Sequence, residues 1–403
     1  MSGVIPVKAI SVSLWGSPVG VLVSGPDGYS RFQYFPSFLK QGIDIAPFEM
    51  PLSAKVYSSA EFELPPNAFW GLPGVFADSL PDSFGNKLVA EWMRRSGYSL
   101  SEITPLDRLA YVGSRGMGAL VYEPESGPDM SRPTALDMRE LVEEARLALN
   151  ADLSRLSGPD ALREIIRVGT SAGGAQAKAI VSWNRKQDVF NAGQENLPDG
   201  FEHWIIKFTP RELPHLGELE YAVYEKAIAS GIVMSECCLY ELDGVKHFMT
   251  RRFDRVGDMR HHLQTYCALR HLPPGKTPVA LCGYEGLFET ISALGMGYDA
   301  LAQMFRRMVF NVLIGEHDDH TKNFSFLMKQ GGGWELSPAY DLTGRHDSVE
   351  DGTFTEWVNR HALSVNGKFS SIRDEDMVLV GERFGIGSAR SILEEVKAVL
   401  CVK

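Results

Sequence analysis

The chain has 403 residues, of which 44% are hydrophobic and 23% are charged, and its formal net charge is −11. A chain of this size can bury two ordinary hydrophobic cores. Its net negative charge argues against a protein that binds DNA without a partner, because DNA binding relies on Lys and Arg. The five cysteines are odd in number and have no CxxC spacing, which argues against both a disulfide framework and a zinc site.

The first predicted region, residues 1–125, is a compact α+β subdomain. Its opening stretch has no charged segment leading into a long apolar one, and the chain has no run of about 18 apolar residues. We therefore expect a cytoplasmic protein with no membrane contact. Strand-like runs at 19–23 and 119–122 alternate with helical spacing at 84–95. The turn-rich stretch 123–129 ends the region.

The second predicted region, residues 126–250, opens with helical spacing over 133–156 and then carries a Gly-rich loop. Small residues run up to Lys178, and in such a loop the backbone N–H groups can turn toward a phosphate. The loop lacks the GxxxxGKS/T and GxGxxG spacings, so a Gly-rich hairpin with no ligand is an equal alternative. The polar stretch 185–200 predicts a hairpin excursion between two strands.

One cation, Lys207, lies within the apolar strand predicted at 203–208. Burying a lone ammonium is costly unless an anion meets it, and a nucleotide phosphate is such an anion. Glu218 and Glu220 are the two candidates for a companion acid, next to a helix predicted at 220–230 that stops before Gly231.

The third predicted region, residues 251–403, is mostly helical and contains the most informative stretch of the chain. Asp318 lies five residues before Asn323, the interval between the catalytic Asp and the metal-binding Asn of a protein-kinase catalytic loop. Two apolar runs, 324–328 and 334–336, predict a β-hairpin that returns Asp341 to the level of Asn323. Asp, His and Asn also cap helices and close turns, so this loop alone is equally consistent with a structural role.

Other parts of this region are predicted to be structural. The remaining helices are expected at 284–294, 300–314 and 388–400. Arg252, Asp254 and Arg255 are expected to form an internal ion-pair network near the hinge between the second and third regions.

The predicted elements follow the same order as those of a protein kinase: a Gly-rich loop, a strand lysine, a helix glutamate, a catalytic loop and a metal-binding aspartate. We therefore predict an α+β, protein-kinase-like two-lobe fold. Its strand-rich small lobe carries the added amino-terminal subdomain, and its large lobe is mostly helical.

The chain resembles the HipA-type serine/threonine kinases, the toxin components of bacterial type II toxin–antitoxin pairs. The resemblance is carried by GTSAGGAQAK, HWIIKF, TRRFDR, NVLIGEHDDHTKNFSF and LSPAYDL, and in the amino-terminal part by SLWGSPVGVLV, LPGVFADSLPDSFGNKLV and VGSRGMGALVYEP. Ala177 and the pair Glu316 and His317 depart from the commoner residues of the family without removing a group that the mechanism needs.

The resemblance implies a site for ATP and Mg²⁺. Asp318 would be the catalytic carboxylate, with His320 and Lys322 in the same loop, while Asn323 and Asp341 would hold Mg²⁺. Ser171, at the head of the Gly-rich loop, matches the family's autophosphorylated serine. The residues expected to bind the nucleotide are Ser171, Ala172, Gly173, Gly174, Ala175, Gln176, Lys178, Lys207, Met249, Arg251 and Asp341.

The resemblance also implies partners. A HipB-like helix-turn-helix antitoxin would bind the kinase and the operator together, so DNA would be contacted only indirectly. The protein substrate would be an aminoacyl-tRNA synthetase, as in the family, and its phosphorylation would make the chain a growth-arresting toxin. Two alternatives stay open: a related kinase with another protein or a small molecule as acceptor, and a nucleotide-binding corepressor scaffold.

Overall fold

The computed structural model describes residues 6–62, 69–81, 83–127, 134–149, 177–192, 197–273, 282–344 and 360–401. Helices and strands both contribute throughout these ranges, so the expected mixed α and β class is confirmed. No helix in the described ranges is long and apolar enough to span a membrane.

The amino-terminal region is built on a five-stranded antiparallel sheet with the order β4-β3-β2-β1-β5. Apolar residues alternate along the first strand, so that Ile10, Val12 and Leu14 are buried on one face. The elements are β1 Ala9–Leu14, β2 Ser17–Ser24, β3 Ser30–Tyr34, α1 Pro36–Leu39, β4 Tyr57–Ser58, α2 Gly74–Ala77, α3 Ser83–Arg95, a 3-10 turn Leu100–Glu102, α4 Pro105–Val112 and β5 Leu120–Glu123.

A six-stranded antiparallel sheet follows, with the order β10-β11-β9-β7-β8-β6, and we call it the central sheet. The prediction that residues 185–200 form an excursion between two strands is wrong in one respect. Phe190 is buried, and the strand that contains it is part of the central sheet, where it pairs with β7. The elements are β6 Thr134–Ala135, α5 Met138–Leu149, β7 Lys178–Asn184, β8 Val189–Ala192, β9 Glu202–Lys207, α6 Leu216–Ala229, β10 Cys237–Leu242 and β11 Val245–Arg251.

The remaining residues form a mostly helical region around α9, whose Met304, Phe305 and Met308 are fully buried against the neighbouring helices. The helices predicted at 284–294, 300–314 and 388–400 and the hairpin at 324–336 are confirmed to within two residues at each end, whereas the helix predicted at 220–230 begins four residues earlier, at Leu216. The elements are β12 Arg255–Val256, β13 Met259–Arg260, β14 His262–Thr265, α7 Tyr266–Leu269, α8 Tyr284–Ala293, α9 Tyr298–Ile314, a 3-10 turn Thr321–Asn323, β15 Ser325–Met328, β16 Trp334–Leu336, α10 Asp374–Arg383 and α11 Ala389–Cys401.

The buried apolar residues do not divide strictly along the predicted boundaries. Leu88, Val89 and Met93 of α3 pack in one cluster with Trp204 and Met249 of the central sheet. The helix α3 therefore shares a core with a sheet that lies beyond residue 125, and the boundaries after residues 125 and 250 stay predictions.

All five cysteines are free, as expected.

Candidate functional site

The two faces of the central sheet differ in chemistry. Lys178 on β7 lies opposite Lys207 on β9, which lies opposite Phe248 on β11. Because residues in register on antiparallel strands share a face, these three side chains lie on one side of the sheet. The next residues along, including Ile206 and Met249, belong to the apolar cluster on the other side. The lysine face is therefore the one available for an anion.

Lys207 holds two carboxylates together. Its Nζ lies 2.8 Å from Oε1 of Glu220 on α6 and 2.6 Å from Oδ1 of Asp341. Burial by itself lowers the pKa of Lys207, but Asp341 and Glu220 outweigh it and raise the pKa above the ordinary lysine value. Glu218 instead binds Lys246 at 2.7 Å, so Glu220 is the companion acid.

Asp341 lies among positive charges. Burial raises its pKa, but Lys207 and Lys178 more than offset this and hold the pKa below the ordinary range. Its φ of +55° is left-handed, a conformation that non-glycine residues adopt rarely and that is frequent at functional sites. The carboxylate is therefore ionised and held in a specific backbone geometry.

The cluster is suited to binding phosphate. Two lysines directly opposite each other on neighbouring strands repel, and an anion between them removes the repulsion. In the structure Asp341 supplies that negative charge, and phosphate oxygens are likewise negatively charged hydrogen-bond acceptors.

The loop from Glu316 to Asn323 brings the predicted catalytic residues close to Asp341. The side-chain nitrogen of Asn323 donates to the carbonyl of Asp318 at 2.8 Å, which leaves the amide oxygen to act as a ligand. Asn323 and Asp341 line one cavity, as a shared metal site would require. The Asp318 side chain is 55% exposed, so an incoming hydroxyl can reach it, and Nε2 of His320 lies 3.9 Å from its carboxylate. Lys322 is exposed in the same loop.

Two acids to which the sequence analysis gave no role in the site, Glu316 and Asp319, fix this loop. Glu316 accepts hydrogen bonds from the backbone N–H groups of Asp318, Thr343 and Gly344 at 3.0, 2.6 and 2.7 Å. Glu316 thereby connects Asp318 to the segment just after Asp341. Burial raises the pKa of Glu316. Nothing in the spacing of the loop distinguishes such a structural acid from a catalytic one.

Asp319 is the second of these acids and is 1% exposed. It accepts hydrogen bonds from the Tyr284 hydroxyl at 2.9 Å, from the Ala362 N–H at 2.7 Å, and pairs with Nδ1 of His361 at 3.0 Å. Of the two adjacent aspartates, Asp319 is therefore a structural anchor, and Asp318 is the one exposed to solvent.

The predicted ion-pair network of Arg252, Asp254 and Arg255 is confirmed. Asp254 accepts from Nε and Nη2 of Arg252 at 2.9 and 2.7 Å and from Nη1 of Arg255 at 2.8 Å. The Gly118 N–H donates to the same carboxylate at 2.9 Å, so the network also joins the amino-terminal region to the segment that follows the central sheet.

Some of the predicted nucleotide-binding residues lie away from the lysine cluster or outside the described residues. The Met249 side chain is fully buried on the face opposite the lysines. Arg251 is exposed, 3.1 Å from Glu202 and 3.8 Å from Glu236. The Gly-rich loop residues Ser171, Ala172, Gly173, Gly174, Ala175 and Gln176 lie outside the described residues.

The described residues offer a metal few side-chain ligands at this site. Within the described ranges, no group of three or more His, Cys, Asp or Glu could hold a metal ion. Asn323 and Asp341 are hard oxygen donors of the kind that Mg²⁺ prefers, and Mg²⁺ is commonly completed by waters and substrate phosphates. The donor set therefore fits a metal that arrives with a phosphate ligand.

The fold and the site together define a mixed α and β protein with a cluster of lysines and carboxylates beside its central sheet. The family model of the HipA N-terminal domain matches residues 10–123, and the model of the HipA-like C-terminal domain matches residues 170–401. Since the second match alone covers more than half of the chain, the protein belongs to the HipA family.

The chain is also similar to individual proteins and to a solved structure. The chain is 25% identical over 420 residues to the putative kinase Y4dM of Sinorhizobium fredii, covering 98% of this chain and 91% of the relative. It is 27% identical over 358 residues to the putative kinase Y4mE of the same organism, covering 83% and 77%. Among solved structures, it shares the fold of a chain from the Shewanella oneidensis MR-1 toxin–antitoxin complex of HipA, HipB and operator DNA. That match has a TM-score of 0.68 and 18% identity, and it covers 97% of this chain and 90% of that one.

Proposed function

We propose that the protein is an ATP- and Mg²⁺-dependent serine/threonine protein kinase of the HipA type, with the two-lobe architecture of protein kinases. The observation that carries the proposal is the contact of Lys207 with both Glu220 and Asp341. A strand lysine, a helix glutamate and a metal-binding aspartate are the charged groups that a protein kinase assembles around its nucleotide. The putative kinases among the relatives support the same activity.

Each group has a role that follows from its surroundings. Lys207 stays protonated because two carboxylates raise its pKa, so it can bind phosphate oxygens together with Lys178. Asp318 is exposed and orients the acceptor hydroxyl, while Asn323 and Asp341 hold Mg²⁺. The bound metal would supply charge neutralisation on the phosphates. Glu316 keeps the two metal-binding segments at a fixed separation through its three backbone contacts.

The proposal extends to regulation and partners. Ser171 is the proposed autophosphorylation site, where a dianionic phosphate would repel the Gly-rich loop from an anionic nucleotide. A HipB-like helix-turn-helix antitoxin is the proposed partner in the cytoplasm, supported by the HipA, HipB and operator DNA complex of the structural neighbour. The proposed acceptor is an aminoacyl-tRNA synthetase. Because phosphate-handling residues do not encode the acceptor, phosphoproteomics of arrested cells has to identify it.

The test is a phosphopeptide map of the purified protein after incubation with ATP and Mg²⁺. We expect phosphate on Ser171 in the wild type and its loss in Asp318→Ala, since removing a positioned acid or base costs about 10²–10⁴-fold in rate. Asp258→Ala is the matched control, because Asp258 is an exposed acid in the turn between β12 and β13.

The outcomes separate the alternatives. Phosphate transfer by Asp318→Ala at the wild-type rate would remove Asp318 from the mechanism. Nucleotide binding by the wild type with no transfer, to itself or to proteins of a cell extract, would favour the corepressor scaffold.

A further inference from the structure

Two short helices, α2 of the amino-terminal region and α7 of the helical region, are joined at both ends. At one end the Gly74 N–H donates to Nε2 of His271 at 2.8 Å. At the other end the Asp78 carboxylate accepts from the Thr265 N–H at 2.6 Å and from the Thr265 hydroxyl at 2.9 Å. A Cβ at Gly74 would lie 2.2 Å from the carbonyl oxygen of Ala268, so only glycine permits this approach. The two helices are therefore held in a fixed relation.

Helix α7 and the residues that follow it, up to Pro273, are in turn joined to both ends of the 3-10 turn Thr321–Asn323. The Tyr266 N–H donates to the carbonyl of Phe324 at 2.7 Å. On the other side, the Thr321 hydroxyl donates to the carbonyl of Pro273 at 3.0 Å. The turn held in this way carries Lys322 and Asn323, so a chain of hydrogen bonds runs from the amino-terminal region to the proposed metal ligand.

The charge of Asp78 also reaches this turn. Burial raises the pKa of Asp78, while the Thr265 N–H and the charge of Lys322 act in the opposite direction. Asp78 thus contacts Thr265 directly and acts on Lys322 through space. These two effects can be separated, because asparagine keeps the shape of aspartate and removes its charge.

We propose that Asp78 is a positioning residue for the catalytic loop: through Thr265 and α7, the amino-terminal region holds Asn323 and Lys322 in the geometry that metal and phosphate binding require. This inference rests on the proposed kinase function for its catalytic consequence. The hydrogen-bonded connection itself is independent of that function. A misplaced metal ligand lowers affinity and rate although the changed residue touches neither metal nor nucleotide.

The test compares full-length Asp78→Ala and Asp78→Asn with Trp15→Phe. Trp15 is the matched control, because its Nε1 donates to the carbonyl of Arg260 at 2.7 Å and so joins the same two regions without touching α7. Hydrogen–deuterium exchange of residues 321–328 is measured without ATP. The kcat, the KM for ATP and the Mg²⁺ concentration for half-maximal rate are measured separately.

In Asp78→Ala we expect faster exchange at 321–328, an increase of about 10–100-fold in the Mg²⁺ requirement, and a fall of about 100-fold in kcat. Asp78→Asn should stay within a few-fold of the wild type, because its amide can still accept from the Thr265 N–H and donate to the hydroxyl. Trp15→Phe should leave both measurements unchanged.

Exchange at 321–328 that is unchanged in Asp78→Ala, or raised equally in Trp15→Phe, would overturn the proposal. If Asp78→Ala does not fold, Asp78→Ser, which has a shorter polar side chain, decides by the same exchange measurement, because it leaves Thr265 in place as the N-cap of α7. Faster exchange in Asp78→Ala combined with no phosphate transfer by the wild type would support the connection and count against the kinase function.

Discussion

Removing the carboxylate of Asp254 should be one of the most destabilising single changes in the described part of the chain. The side chains of Asp254 and Arg252 are both 0% exposed, and that of Arg255 is 3% exposed. Each guanidinium attracts the carboxylate by about 4 kcal/mol at an effective dielectric constant of about 20. Part of this attraction offsets the cost of desolvating Asp254 itself, which is no longer incurred in the variant. We therefore expect Asp254→Ala to lower the free energy of unfolding by about 3–5 kcal/mol, since two buried cations lose their partner.

Urea unfolding followed by tryptophan fluorescence measures this change. The control is Asp27→Ala, which removes the exposed pair between Asp27 and Arg31 and should change the unfolding free energy little. If Asp254→Ala were no more destabilising than Asp27→Ala, the buried network would contribute nothing measurable and our reasoning about these ion pairs would be wrong.

Two further predictions concern stability. Burial lowers the pKa of His262 from 6.5 to about 4, so the unfolded chain binds a proton that the native chain does not. Its contribution, about 3 kcal/mol, is complete above pH 6.5 and is lost as the pH falls toward 4; His262→Phe should flatten the unfolding free energy measured across that range. A Cβ at Gly381 would lie 2.7 Å from both Ala389 and the Phe305 ring, whereas one at Gly387 would meet nothing within 4 Å. Gly381→Ala should therefore lower the unfolding free energy by about 1–3 kcal/mol, and an unaltered melting temperature in Gly381→Ala, or an equal loss in Gly387→Ala, would contradict the packing argument.

Sequence patterns predicted the parts of the site that depend on local spacing. The hairpin that carries Asp341 was readable because apolar runs flank Gly331, Gly332 and Gly333, and glycine permits the positive φ values found there. The anion-binding role of Lys207 could be predicted because a lone cation in an apolar strand requires an anion.

Contacts between distant segments were not readable. Glu218 and Glu220 both precede or begin the predicted helix, and only the packing of α6 on the central sheet selects Glu220 for Lys207. The bond between Asp78 and Thr265 joins residues 187 positions apart, and no local pattern announces it. The face of Met249 was within reach of sequence reasoning, since strand alternation places it opposite to Phe248.

The shared core of α3 and the central sheet bears on how this protein can change over evolution. The helix α3 belongs to the segment matched by the amino-terminal family model, while the strands that it covers include those matched by the carboxyl-terminal model. Exchanging residues 10–123 between relatives would therefore replace the α3 side of a close-packed core and leave the central-sheet side unchanged. Leu88, Val89 and Met93 would then face side chains with which they had not been selected together. The two halves of the chain are in this sense a single inherited unit, and chimeras should tolerate exchange only when both sides of that core are taken from the same parent.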